Sequence, residues 1–348
     1  MRPGTPETER LRRPRFQDIA REAGVGTATV ERVLNGRANV LPKTAQRVII
    51  AARKLGYDRT LPSVHHACVR IEVVLVRPDT EFFSRLNRQF QRIGASLDKS
   101  LVIQRNLLPE DTLEAIARRI EAAAQKRTGL ITVVQDSPAI ISALKAADAN
   151  NVPIVLLVSD VRYGGRAVYV GIDNESAGRT AGFFMRHLLS GRRGQIVALC
   201  HSGDYLAHRQ RVISLSQCFC DPDDDLIFTT CLLARDSDEM SYALLRKTLR
   251  HDDDVVGVYN AGGGNGGVDR ALRECRRPDD VAYIGYEMLP STRRSLEDGV
   301  MVLTIDQAPE LQVRRAVEVM ETMIGLRDEP PNGSPIPFRI ITQENLDG

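Results

Sequence analysis

The sequence predicts an α/β protein whose body has two lobes, each a parallel sheet with flanking helices, preceded by a small all-α unit. From Arg70 onward, short apolar runs alternate with amphipathic helical patterns, as in parallel sheets whose strands are joined by crossover helices. These runs are too many for one comfortable sheet, which indicates two lobes. Residues 15–60 instead show short helical patterns and an excess of basic side chains.

The elements of the body follow one another in a regular order. Strand-like runs occupy residues 70–76, 100–108, 129–134, 152–158, 167–172, 194–200, 225–233, 254–259 and 281–286. Helical patterns occupy residues 84–97, 113–125, 140–150, 176–189, 208–219, 240–249 and 268–274. We predict a disordered tail at 1–14, a helical domain at 15–60, a linker at 61–69 and the two-lobed body at 70–345.

The net charge of +2 is unevenly distributed along the chain. Residues 1–60 contain 13 Arg and Lys against 6 Asp and Glu, whereas the remainder contains 34 against 39. A basic head on a mildly acidic body predicts that the head binds a polyanion. The N-terminal segment lacks the apolar core of a secretion signal, and no stretch approaches the ~18 apolar residues of a membrane span. We therefore predict a cytoplasmic protein with no membrane partner.

The cysteines do not have the spacing of a metal site. None of the six forms a Cys-x-x-Cys pair, and the His-His-Ala-Cys run at 65–68 has no matching second half. We expect reduced thiols, no metal and no cofactor.

The segment FQDIAREAGVGTATVERVLNG, residues 16–36, has the arrangement of a helix-turn-helix. Ala20 is small enough for a first helix to approach a second one, and Gly24 falls at the turn, where a residue without Cβ is favoured. The second helix, at about 27–34, is of the kind that lies in the DNA major groove. A third helix is predicted over 42–55. The alternative, a three-helix bundle that binds protein, leaves the local basic charge without a role.

Over nearly all of residues 15–57, this pattern resembles the DNA-binding headpiece of the LacI/GalR family of bacterial transcription regulators. The resemblance implies that double-stranded operator DNA is a partner. It places Thr27, Ala28 and Arg32 at base-reading positions, where an arginine bonds a guanine edge bidentately. It also implies that DNA phosphates are bound by Thr29, Asn35, Thr44 and Tyr57.

The headpiece and linker depart from the family pattern at three points. Gly26 replaces the usual serine cap of the second helix, which weakens that cap. Glu31 replaces a small hydroxyl residue, and its carboxylate repels phosphate unless it pairs with Arg32 or accepts from a cytosine amine. In the linker, Leu61 followed by Pro62 is the only obvious apolar candidate for insertion into the minor groove, so the formation of a hinge helix stays open.

The run VVGVYNAGGGNGGVDRAL, residues 255–272, raises a second possibility. Gly262, Gly264 and Gly267 spell G-x-G-x-x-G between a strand-like and a helix-like segment, as in the phosphate loop of a dinucleotide-binding fold. Glu287 stands about where that fold holds its ribose-binding acid. However, at least seven strand-like runs precede the loop, no Walker lysine follows it, and no convincing catalytic constellation accompanies it. An NAD(P)-dependent oxidoreductase is therefore kept as an alternative.

Motifs spread along the body resemble the effector domain of the same family, which shares its architecture with periplasmic sugar-binding proteins. They are EFFSRLN, VGIDNESAGRTAG, HRQR, YIGYE and TIDQAPE. The implied fold is a periplasmic-binding-protein-like body with an effector cleft between its lobes. By this resemblance, the residues expected to line the cleft are Phe82, Phe83, Asp136, Asp173, Arg211, Asn260, Glu287 and Gln307. An aromatic face with alternating donors and acceptors suits a polyhydroxylated ligand.

The cleft also departs from the family pattern. Ala261 follows Asn260 where the family often has aspartate, and Glu287 replaces the usual aspartate. The glycines of 262–267 leave bare amides near a helix start, which favours either a carboxylate or phosphate on a larger ligand, or simple loop flexibility.

Together these features predict a sequence-specific DNA-binding transcriptional regulator, expected to be a repressor and not an enzyme. Its expected effector is a sugar, a polyol, or a sugar acid or phosphate bound between the lobes. A homodimer would place two headpieces on a near-palindromic operator. The alternatives are the oxidoreductase and a sugar-binding protein that does not bind DNA, and the headpiece argues against the latter.

Overall fold

The computed structural model describes residues 14–35, 40, 42–57, 69–97, 101–126, 129–221, 223–275, 280–327 and 331–346. The predicted tail up to residue 13, the linker residues 58–68 with Leu61, and the His-His-Ala-Cys run lie outside the described residues.

Three helices form the N-terminal unit: α1 (Phe16–Ala23), α2 (Thr27–Leu34) and α3 (Pro42–Lys54). Gly24 ends α1 in the left-handed conformation, with φ at 62°, so that the chain turns directly into α2. The core between the helices is built from buried side chains that include Ile19, Ala20, Ala23, Val30, Val33, Val48 and Ala52. The predicted bounds of the second helix are confirmed.

Two sheets form the body. The strands of the first are β1 (Val69–Val76), β2 (Leu101–Leu108), β3 (Gly129–Thr132), β4 (Ile154–Leu157) and β5 (Val168–Val170), paired in parallel in the order β2-β1-β3-β4-β5. The strands of the second are β6 (Gly194–Cys200), β7 (Leu226–Leu233), β8 (Val255–Asn260), β9 (Ala282–Tyr286), β10 (Leu303–Asp306) and β11 (Arg339–Ile341). Their order is β11-β10-β9-β8-β6-β7, and among the described strands only β11 runs antiparallel to its neighbour.

Helices cover both faces of these sheets. They are α4 (Glu81–Ser96), α5 (Leu113–Lys126), α6 (Pro138–Ala149), α7 (Asn174–Leu188), α8 (Leu206–Ser216), α9 (Asp238–His251), α10 (Asn265–Glu274), α11 (Pro290–Glu297) and α12 (Pro309–Met323). In the second lobe, α7 and α8 pack together on one face of the sheet, and α9 and α10 pack together on the other. The predicted α/β fold with two parallel sheets is confirmed, but sequence reasoning missed α11, β10, α12 and β11.

The chain crosses between the lobes more than once. It passes from β5 of the first lobe into α7 of the second, and from β10 of the second lobe into α12, which packs against α4, β4 and β5 of the first. A further segment returns to the second sheet as β11, and on the way the Ile336 N–H donates to the Gly171 carbonyl at 2.9 Å. These crossings hold the carboxyl ends of both sets of strands on either side of one cleft.

The backbone is strained where those strands end. Left-handed φ values occur at Arg77 (55°) after β1, Val158 (67°) after β4, Asp236 (53°) after β7, Glu287 (69°) after β9 and Ala308 (51°) after β10. Such conformations cost of order 1–3 kcal/mol each in residues other than glycine, and they cluster at ligand sites. The cleft between the lobes is therefore the candidate functional site.

Candidate functional site

A cavity of about 310 Å³ lies between the two lobes, beyond the carboxyl ends of the strands. Ligands of open parallel sheets bind in this position. The volume stands at the lower end of the range for small-molecule sites, about 300–1,000 Å³, so the cavity suits a small ligand.

Phe82 and Phe83, in the first turn of α4, both line the cavity. Their rings meet edge to face with centroids 5.5 Å apart. Phe83 is buried in the core, and the Arg77 guanidinium lies 5.6 Å from its ring centroid. The half-buried Phe82 is therefore the ring better placed to contact a ligand.

Arg211, on α8, is buried behind the cavity wall and bonded through all three of its side-chain nitrogens. Nε donates to Asn174 Oδ1 at 2.8 Å, Nη1 donates to the Ala261 carbonyl at 2.9 Å, and Nη2 donates to Gln307 Oε1. Its guanidinium carbon lies 4.3 Å from the centroid of the Tyr286 ring. Arg211 thus ties together three separate segments of the wall.

Glu287 and Gln307 meet at the cavity beneath α4. Gln307 Nε2 donates to Glu287 Oε1 at 2.6 Å, and Arg85 Nη1 donates to Glu287 Oε2 at 3.2 Å and to Asp306 Oδ2 at 2.9 Å. Burial, reinforced by the Asp306 carboxylate, raises the pKa of Glu287 to about 8. At neutral pH the Glu287 carboxyl is therefore mostly protonated and offers both a donor and an acceptor.

Sequence reasoning missed an ion pair that crosses the cavity. Arg77 Nη1 donates to Asp236 Oδ2 at 2.6 Å, and the other oxygen of Asp236, Oδ1, is buried with no partner in the described structure. Burial alone would raise the pKa of Asp236, but the Arg77 guanidinium outweighs it, and that pKa falls to about 2. Burial lowers the pKa of the neighbouring His208 to about 3. The signal was available, since Arg77 and Asp236 each stand at or just after the end of a strand-like run.

Three of the predicted cleft residues do not line the cavity. Asp136 is paired with Arg209. Asp173 caps α7 and accepts from the Ser176 N–H at 2.9 Å. Asn260 holds the glycine loop, since its Nδ2 donates to the Gly263 carbonyl at 2.8 Å and to Asn265 Oδ1 at 2.7 Å. The other five, Phe82, Phe83, Arg211, Glu287 and Gln307, line one cavity.

The glycine loop lets the chain approach two carboxylates closely. Gly262 and Gly263 pack against Asp236, and Gly266 and Gly267 pack so closely against Asp238 that a Cβ there would collide with it. The Gly267 N–H donates to Asp238 Oδ1 at 3.2 Å. A carboxylate of the protein thus sits at the N-terminus of α10, where a dinucleotide phosphate would need to bind. This arrangement does not favour the oxidoreductase alternative.

The second helix of the headpiece presents a polar face. Thr27, Ala28, Glu31 and Arg32 are exposed, whereas Val30, Val33 and Leu34 are buried. Within the described structure neither Glu31 nor Arg32 forms an ion pair, so pairing with Arg32, one of the two ways to relieve the repulsion between Glu31 and phosphate, is not observed there. Of the residues predicted to bind phosphate, Asn35 is exposed and Thr29, Thr44 and Tyr57 are half-buried.

Comparison with known proteins identifies both parts of the chain. Residues 71–327 match the periplasmic binding protein domain, so the body belongs to that class of domain. Residues 15–60 match the lacI family of bacterial regulatory proteins. The chain belongs to the LacI family of DNA-binding transcriptional regulators, with a periplasmic-binding-protein-like body.

Individual relatives agree with this assignment. The chain is 27% identical to the HTH-type transcriptional regulator CelR of Thermobifida fusca, over 92% of this chain and 95% of that protein. It is 26% identical to the HTH-type transcriptional regulator GntR of Pseudomonas aeruginosa, over 96% of each.

Solved structures share the fold of the body. A solute-binding protein from Burkholderia graminis, in complex with D-arabinose, superposes with a TM-score of 0.73 at 18% identity, covering 80% of this chain and 96% of that one. GanP, a glucose-galactose binding protein from Geobacillus stearothermophilus, gives 0.71 at 19% identity, covering 80% and 99%. In the part of the chain that the structure describes, no helix has both the length and the apolar character needed to cross a bilayer.

Proposed function

We propose that the protein is a homodimeric repressor whose two headpieces bind a near-palindromic operator, and whose cleft binds a small polyhydroxylated effector that changes operator affinity. The observation that carries this proposal is the cavity between the lobes, which combines an aromatic ring with buried polar groups. The fold is shared with proteins solved with monosaccharides, which supports a sugar or polyol as effector.

Effector binding and lobe position are coupled through one ion pair and further polar contacts that cross the cleft. Arg77 of the first lobe pairs with Asp236 of the second, and His201 Nε2 of the second lobe lies 2.8 Å from Glu110 Oε2 of the first. Arg85 of α4 joins Glu287. A ligand that bonds Asp236 or Glu287 alters these contacts, so it favours one arrangement of the lobes over another.

On the DNA, Arg32 is proposed to read a guanine edge together with contacts from Thr27 and Ala28. Phosphate contacts are proposed for Thr29, Asn35, Thr44 and Tyr57, which would fix the register of the helix in the groove. The carboxylate of Glu31, which forms no ion pair among the described residues, is then proposed to accept from a cytosine amine rather than to neutralise Arg32.

Apolar surface on the second lobe supports the dimer. Phe183 of α7 is 57% exposed, Ile213 of α8 is 52% exposed, and Leu188 and Ile227 are also exposed. Large apolar side chains exposed on neighbouring elements mark interaction sites. A second copy of the chain, seated on this surface, would bring two headpieces to one operator.

The experiment measures operator binding and effector binding together. The operator is first selected from random DNA duplexes, and its affinity for the full chain is then measured with and without a panel of sugars and polyols. A compound that raises the melting temperature of the protein and also shifts operator affinity is the expected result. Dehydrogenase turnover with a nicotinamide cofactor would contradict the proposal that the protein, acting in the cytoplasm, is a regulator and not an enzyme.

A further inference from the structure

We infer that the effector carries no negative charge: the cavity accepts a neutral polyhydroxylated molecule or one that bears an ammonium group, such as an amino sugar, and rejects sugar acids and sugar phosphates. The inference rests on the proposed effector function and narrows its ligand class.

Carboxyl groups dominate the charge of the cavity wall. Two arginines line the cavity, against six carboxyl side chains, of which all but the mostly protonated Glu287 contribute negative charge at neutral pH. Four of the six are exposed at the entrance, two on each lobe: Asp79 and Glu81 on the first lobe, and Asp238 and Glu239 on the second. A cleft lined by charge of one sign concentrates ligands of the opposite sign and repels those of the same sign. The entrance therefore disfavours anions before they reach the interior.

Both arginines of the cavity wall are already engaged by groups of the protein. Arg77 is paired with Asp236 at 2.6 Å, and Arg77 Nε lies 3.7 Å from Glu110 Oε2. Every side-chain nitrogen of Arg211 already donates to a protein oxygen. The Arg77 charge is therefore already neutralised by Asp236, and a carboxylate or phosphate on the ligand would have to compete with this buried pair.

Two amides of the glycine loop already have acceptors within the protein. The Gly267 N–H, in the first turn of α10, donates to Asp238, and the Gly262 N–H donates to Asn260 Oδ1 at 3.4 Å. Because Asp238 already brings a negative charge to this helix N-terminus, a second anion there would meet a like charge. The expectation that these amides bind an acidic group of the ligand is therefore replaced by the opposite preference.

One buried acceptor in the interior lacks a donor. The Asp236 side chain is only 9% exposed, and its Oδ1 atom has no partner among the described residues. Since this carboxylate stays ionised at neutral pH, it can only accept. A hydroxyl or an ammonium group of the ligand supplies the missing donor, whereas a carboxylate or phosphate would place negative charge beside Asp236.

The test uses matched probes on the full-length protein. In the gluco, galacto and manno series, four forms are compared: the neutral sugar, the 2-amino sugar, the aldonic acid and the 6-phosphate. Melting temperature is measured at pH 7 and low ionic strength, and each hit is then titrated by calorimetry. We expect the neutral or the amino form to bind in at least one series, with the acid and the phosphate of that series at least about 100-fold weaker.

The outcomes separate this inference from the function on which it rests. An acid or phosphate that binds more tightly than its neutral parent overturns the inference alone and leaves an effector-controlled regulator in place. Failure of every probe to bind counts against the proposed sugar effector itself, and the inference falls with it.

A variant with fewer entrance charges provides a second test of the inference. Removing two entrance charges in Asp79→Asn/Glu81→Gln should weaken binding of an amino sugar about threefold at low salt, and this loss should disappear near 0.5 M salt. The matched control is Glu121→Gln, an exposed glutamate of α5 outside the cavity, which should leave the affinity unchanged. Equal affinities of the entrance variant and the control at low salt would overturn the role assigned to the entrance charge.

Discussion

Arg77 Nη1 lies 2.6 Å from Asp236 Oδ2, so a guanidinium at the end of β1 in one lobe is paired with a carboxylate beyond β7 in the other. The two side chains are 10% and 9% exposed. Removing one partner of such a buried pair leaves a buried charge without compensation, at a cost of about 3–5 kcal/mol.

The first prediction concerns this pair. Arg77→Met should lower the free energy of unfolding of the body by about 3–5 kcal/mol, measured by urea denaturation. Adding Asp236→Asn should restore part of the loss, because the stranded charge is removed. The control is Arg193→Met, whose partner Asp225 is also exposed and whose loss should cost at most about 1 kcal/mol. Equal losses for the two arginines would contradict the account of the buried pair.

Two aspartates allow the effector site that the cavity defines to be tested against the effector site that the family resemblance implies. Asp236 lines the cavity, whereas Asp136 is paired with Arg209 outside it. Asp236→Asn should weaken effector binding by about 10-fold to 100-fold, since hydrogen bonds to charged groups contribute about 1.5–3 kcal/mol. Asp136→Asn should change it less than about twofold. Calorimetric titration of the effector measures the affinities of the two variants. A larger loss of affinity in the Asp136 variant would favour the site implied by the resemblance over the site defined by the cavity.

The raised pKa of Glu287, about 8, predicts a dependence of stability on pH. The group holds its proton more tightly in the folded state than in the unfolded state, so its contribution is complete below the unfolded pKa and is lost as pH rises through 8. Between the two pKa values, from about 4.5 to about 8, the free energy of unfolding should fall by up to about 1.4 kcal/mol per pH unit, and the fall should level off above pH 8. Glu287→Gln should flatten this slope and Glu121→Gln should retain it, as followed by denaturation at several pH values. A wild-type profile that rises with pH would be inconsistent with this assignment.

The apolar surface of α7 and α8 predicts the effect of a charge on assembly. Phe183→Glu should convert the proposed dimer to a monomer in sedimentation, because a carboxylate would be buried in the proposed interface. Met240→Glu is the control, since Met240 is exposed on α9, on the opposite face of the same sheet. A Phe183 variant that stays dimeric would place the interface elsewhere.

Much of the fold could be predicted because its signals are local. The turn at Gly24 and the apolar spacing around it fix the helix-turn-helix within a few residues, and β6 has the predicted bounds of 194–200. Helix α12 was not predicted, and its helical pattern would not have specified which of the two lobes it packs against. Contacts between lobes are equally hidden, since Arg77 and Asp236 stand 159 residues apart.

The candidate site was predictable only in part for the same reason. A position after a strand indicates the edge of the sheet on which a side chain lies, but not what the side chain contacts there. Asp136 follows a strand and yet is paired with Arg209, whereas Asp236 lines the cavity. From the sequence alone, the glycine run fitted both a dinucleotide phosphate loop and the border of an effector cleft. The carboxylate of Asp238 at the start of α10 disfavours the phosphate loop.

The headpiece carries the last prediction. Arg32→Ala should reduce discrimination between the selected operator and a site with one changed guanine by about 1–3 kcal/mol, because a bidentate base contact is lost. Arg21→Ala, an exposed arginine of α1, should change affinity for both sites alike. Fluorescence anisotropy with the two duplexes measures the difference, and unchanged discrimination in the Arg32 variant would argue against α2 as the reading helix.

The most direct measurement is selection of binding sites from a pool of random DNA duplexes by the full-length protein at low salt. The account predicts enrichment of one sequence with approximate two-fold symmetry, bound by wild type and not enriched by Arg32→Ala. A pool that stays random after repeated rounds, or a protein that retains no duplex at all, would contradict the central claim.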